Sequence, residues 1–140
     1  MKSRSNHLLL AFLLVTVRLA ADWPQFRGPD GQGHSAEKGI PIHWAEDGNI
    51  TWKTAVPGQG WSSPVIAGKQ VWMTSAGAEG KSLHAVCIDK TGGKLLHNVE
   101  VLTPGEAGPR HRLNGYASPT PVLDGERVYV HFGPRGTVCL

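Results

Sequence analysis

"SSPVIAGKQVWMT" (Ser62–Thr74) and "PTPVLDGERVYVH" (Pro119–His131) are two versions of one phrase. A shift of 57 positions lays Pro64, Val65, Gly68 and Val71 on Pro121, Val122, Gly125 and Val128. The same shift matches Ile66 with Leu123, Trp72 with Tyr129 and Met73 with Val130. Each copy reads as a short strand, a tight Gly-bearing turn and a second strand. A phrase that recurs at this length marks a repeating structural unit.

Working outward, the first copy continues through the loop "AGAEGK" into "SLHAVCID", where Leu83, Ala85 and Cys87 alternate with His84, Val86 and Ile88. "KTGG" turns the chain again, and "KLLHNVEV" makes a fourth strand. Four short strands joined by Gly-bearing turns form an antiparallel meander. The second copy starts at Ser118 and reaches Leu140 within its third strand, as expected of a piece of a longer repeat protein. Trp52 precedes Pro64 by 12 positions, whereas the comparable His97 precedes Pro121 by 24. The excess falls in the loop "LTPGEAGPRHRLNGY", leaving a repeating core of about 45 residues, the length of one propeller blade. A single four-stranded sheet cannot bury both faces, so such units stack or form rings.

Upstream of the repeat, "NITWKTAV" (49–56) alternates as a short strand. Residues 22–48 have no clean period; Gly, Pro and Asp punctuate them, and Trp23, Phe26 and Trp44 are spaced along them. This is expected to be an extended arm anchored by its aromatics. Residues 1–21 differ in kind. Lys2 and Arg4 precede the apolar run Leu8–Val17, and Ala20 and Ala21 follow. That order is a secretory signal peptide with cleavage after Ala21, and ten apolar residues are too few for a membrane anchor. The chain is therefore expected to be exported, periplasmic or extracellular, with no stable membrane anchor after cleavage.

The whole chain has 14 Lys+Arg against 11 Asp+Glu. Removing Lys2, Arg4 and Arg18 with the signal leaves 11 of each, so the pI of 9.1 reflects the leader and gives no argument for nucleic acid. The cluster Arg110, His111, Arg112 is too short to restore one. Cys87 and Cys139 sit at matching places in the two repeats, too far apart for a disulfide, and are expected to be buried thiols packed as small apolar residues.

The stretch "VWMTSAGAEGKSLHAVCIDKTGGKLLH", with the opening "DWPQFRGPDGQGHS", resembles the pyrroloquinoline-quinone-like (quinoprotein-like) β-propeller repeat family in its secreted bacterial branch. Its signature is an aromatic-bearing strand, then "LxAxD", "TGK" and a strand ending in Trp. Leu83, Ala85, Asp89, Thr91, Gly92 and Lys94 match; Gly93 is an extra residue and His97 stands where Trp is usual. The resemblance implies an all-β protein of four-stranded antiparallel blades belonging to a β-propeller. About one and a half blades would be present in residues 49–140, an incomplete ring. It also implies either a non-catalytic scaffold or a quinone-dependent alcohol or sugar dehydrogenase using pyrroloquinoline quinone with Ca²⁺.

No catalytic constellation accompanies that fold. The acidic residues are scattered singly on turns, and His34, His43, His84, His97, His111 and His131 lack ligand spacing. His84 and His131 are expected to be satisfied strand residues, and Trp52, Trp61 and Trp72 to pack between blades. "GPDGQG" lacks the Lys-Ser/Thr ending of a P-loop and reads as a turn. The inserted loop offers His111 and Asn114 as residues expected to approach the axial face of the ring. The expected function is a binding or scaffold module with no cofactor, whose partner is another protein. The alternative is a quinone-dependent dehydrogenase whose active site lies outside these residues, and polysaccharide recognition through exposed aromatics is a third.

Overall fold

The computed structural model describes residues 22–106 and 108–140. The signal-peptide reading of residues 1–21 lies outside them. The described chain is all-β: strands β1 (Val65–Ala67), β2 (Gln70–Ala76), β3 (Leu83–Asp89) and β4 (Leu95–Leu102) form one antiparallel sheet in chain order. Strands β5 (Val122–Asp124), β6 (Arg127–His131) and β7 (Thr137–Cys139) form a second. Two short 3₁₀ turns, Ala78–Gly80 and Gly133–Arg135, are the helical content among the described residues.

The repeated phrase forms matching hairpins. Ala67 pairs with Gln70 in the first and Asp124 with Arg127 in the second, so each turn has two residues, Gly68–Lys69 and Gly125–Glu126. Gly68 and Gly125 have φ of +55° and +58°. A type II′ hairpin needs positive φ at its first central position, where a Cβ is strained. The two cysteines also match in register: Cys87 lies opposite Trp72, and Cys139 opposite Tyr129. They differ in burial, because β4 flanks Cys87 while β7 is the edge of its sheet. Cys87 is buried and Cys139 is exposed, which corrects the expectation of two buried thiols; neither is in a disulfide.

The sheets pack front to back. Val65, Trp72, Leu83, Ala85 and Cys87 present one face of the first sheet to Val128, Val130 and Phe132 of the second chain stretch, all in one buried cluster. In the repeat, Val128 and Val130 are the counterparts of Val71 and Met73, which lie on the opposite face of the first sheet. That opposite face holds Val71, Val86 and Ile88 under Trp52. Strand β3 is therefore buried on both sides, and its alternation is one of partner rather than of solvent exposure.

Residues 49–56 are not a strand. They are tethered by side chains: Trp52 Nε1 donates to Lys90 O at 2.9 Å and Thr54 Oγ1 donates to Gly93 O. The turn they grip is built by Asp89, whose carboxylate accepts the Gly92 N–H at 2.7 Å. The arm 22–48 is anchored at one aromatic only. Trp23 exchanges backbone hydrogen bonds with Ile66 of β1, both 2.8 Å, and Pro24 O accepts from Leu123 N of β5 at 2.8 Å. The arm thus ties the first strands of both sheets together. Phe26 and Trp44 are 60% and 63% exposed and do not anchor it.

Phe132→Ala is expected to cost about 3–5 kcal/mol, a large part of a stability of roughly 5–15 kcal/mol, read as a lower urea midpoint. Burial, and then the Asp89 charge, push the Cys87 thiol up from 9.0 to about 11. Below pH 9 both folded and unfolded chains keep this proton. Between about pH 9 and 11 only the unfolded chain releases it, so stability falls as pH rises through that window. A Cys87→Ala variant, followed by denaturation at several pH values, is expected to lose this part of the slope.

Candidate functional site

The insertion between the repeats, described over residues 102–106 and 108–116, folds over the junction of the two sheets. Its local structure is a set of short polar links. Asn114 N donates to His111 O at 2.9 Å, Leu113 N donates to His111 Nδ1 at 3.2 Å, and Arg110 Nη1 donates to Asn114 O at 2.7 Å. Ser118 Oγ closes the next turn on the N–H and carbonyl of Gly115, both at 3.1 Å.

Tyr116 fixes this loop to both sheets. Its ring lies against Gly80, which has φ +69° and no room for a Cβ. The guanidinium carbons of Arg110 and Arg135 stand 5.1 and 4.8 Å from its centroid. Cation–π contact with the ring holds both guanidiniums beside the loop. Below the loop, hydroxyls bridge the repeats: Thr120 Oγ1 accepts from Ser63 N at 3.1 Å, and Thr74 Oγ1 donates to Pro119 O at 3.1 Å. Ser63 and Thr120 are themselves repeat counterparts.

Three clefts run along this junction. The first, about 510 Å³, lies between the loop and the turn after β2 and is lined by Trp61, Glu79, Arg110, Arg112, Asn114 and Tyr116 among others. The second, about 560 Å³, shares Gln59 and Trp61 with it. The third, about 280 Å³, shares Arg110, Asn114 and Tyr116 with the first and adds His111 and Arg135. Glu79 is bound by Lys81 at 2.6 Å; that hydrogen bond, and then the opposite charge of each partner, lower the Glu79 pKa and raise that of Lys81.

Of the residues picked from the sequence, Asn114 lines two of these clefts and His111 one. Trp61 is a correction: it is 71% exposed at the cleft mouth and does not pack between sheets. Trp72 does pack there, with His97 stacked on it at 6.0 Å and 15°. His84 also departs from expectation, because its buried Nδ1 has no hydrogen-bond partner; a pocket of about 60 Å³ adjoins it. His131 is exposed and pairs with Thr137 Oγ1 at 2.9 Å.

Sequence reasoning missed Gln59, Trp61, Arg110, Arg112 and Tyr116 as cleft residues. The available signal was two arginines and a tyrosine inside the one segment that breaks the repeat spacing. Comparison of the chain with protein-family models, curated proteins and solved structures gives no match.

Gly80→Ala is expected to destabilise the fold by about 1–3 kcal/mol more than Gly125→Ala. Both sites have positive φ, but only Gly80 would drive its methyl into a ring. Urea midpoints of the two variants make the comparison.

Proposed function

We propose that this chain is an exported β-propeller repeat protein of the quinoprotein-like kind that works as a binding module. The observation that carries this reading is the front-to-back packing of two equivalent sheets across a 57-residue repeat. An interface joining unlike faces of like units propagates, giving a ring where the rotation closes. In such an assembly the core residues are committed to packing, and recognition falls to the loops at one end. The cleft beside the loop segment Arg110–Tyr116 brings charge, aromatic surface and volume together.

The alternative, a quinone-dependent dehydrogenase, would hold its quinone and Ca²⁺ with residues outside those described. A Ca²⁺ takes six to eight oxygen ligands, usually several carboxylates. Among the described residues no three His, Cys, Asp or Glu side chains come together to hold a metal ion.

The test is a titration of the exported chain with pyrroloquinoline quinone and Ca²⁺, following tryptophan fluorescence and reduction of an artificial acceptor dye. No saturable quenching and no dye reduction are expected. Saturable, Ca²⁺-dependent quenching would replace the binding module with a dehydrogenase.

A further inference from the structure

The three clefts share their dividing residues, Gln59 and Trp61 on one side and Arg110 and Tyr116 on the other, and so form one trough. Its charge is one-sided. Arg110, Arg112 and Arg135 line it, and its single carboxylate, Glu79, is already paired with Lys81. Guanidinium groups bind carboxylate and sulfate oxygens through paired N–H donors. Arg110, held on Tyr116, loses less freedom on binding than an unrestrained side chain would.

Trp61 adds a second kind of contact. Gly115 sits hard against its Cδ1 edge, so the indole is placed, yet most of its surface is exposed in the trough. Gln59 and Asn114 supply amide donors and acceptors beside it. A positioned aromatic face, flanking amides and a row of guanidiniums match a sugar chain that carries anionic groups. A peptide strand is disfavoured, because the backbone on this wall is already used. Gln59 and Ala76 exchange hydrogen bonds of 2.9 and 2.8 Å, and Trp61 N donates to Ala117 O at 2.8 Å.

The geometry points to an acidic polysaccharide as the ligand of this trough, with sugar C–H faces on Trp61 and anionic groups on Arg110 and Arg112. This assignment rests on the binding-module reading and specifies its ligand.

The experiment is affinity electrophoresis and calorimetry of the exported full chain with polygalacturonate, dextran sulfate, neutral dextran and polyglutamate. Binding of polygalacturonate or dextran sulfate is expected, with neutral dextran and polyglutamate at least tenfold weaker. The two anionic sugars distinguish carboxylate from sulfate as the recognised group. Trp61→Ala, which leaves charge unchanged, and Arg112→Gln are each expected to weaken binding about tenfold. Arg127→Gln, the same charge change on β6 outside the trough, is expected to stay within twofold. Circular dichroism checks that each variant is folded. Equal binding of polyglutamate with no loss in Trp61→Ala would overturn the proposal in favour of a generic anionic or protein contact. Absence of binding to both acidic sugars by the folded chain would also overturn it, while leaving the binding-module reading to the quinone titration.

Discussion

The front-to-back contact between the two sheets governs the rest of the structure. Neither sheet has enough strands to enclose a core alone, so each must use the other as cover. The contact is asymmetric: Trp72 and its row face forward, while Val128 and Val130 face back. Alanines at positions 76, 85 and 117 keep the two backbones close, and Phe132 fills the space they leave. The hydroxyl links from Ser63 to Thr120 and from Thr74 to Pro119 satisfy polar groups that this close approach removes from water.

The arm follows from the same constraint. Short first strands such as β1 and β5, three residues each, leave open backbone groups at the inner edge. Trp23 satisfies two on β1 and Pro24 one on β5, and so they fix the sheets relative to each other at that end. At the same strand end of the first sheet, Trp52 and Thr54 reach the turn Lys90–Gly93, and Trp52 covers the face that the second sheet does not. Residues with no periodicity of their own therefore complete surfaces that the repeats cannot complete for themselves.

This explains which parts of the molecule were legible in the sequence. The hairpins were readable because Gly68 and Gly125 mark turns with a steric requirement, and β3 to β4 because Asp89 and Gly92 build a side-chain-closed turn. The segment 49–56 was misread because alternation alone does not separate a ladder strand from a backbone tethered through Trp52 and Thr54. Cys139 shares its register with Cys87, but register does not specify what lies beside a strand. Trp61 was assigned to the core by the general tendency of large aromatics to be buried. Its exposure comes from a tertiary contact with Gly115, more than fifty residues away, which no local pattern encodes.

The placement of the cleft has the same physical origin. Within a stacked repeat, almost every inward side chain is fixed by its counterpart on the next sheet, and little freedom is left for recognition. The inserted loop escapes that constraint, yet a free loop would bind weakly because ordering it costs entropy. Tyr116 removes much of that cost beforehand, seated on Gly80 of one sheet and held beside Arg135 of the other. The ring therefore couples the trough to the packing of the sheets: a change that loosens the front-to-back contact moves Gly80 and Arg135 apart and takes the guanidinium row with them. On the binding-module proposal, binding and folding are then linked through one side chain, and a ligand bridging the loop would also stabilise the junction beneath it.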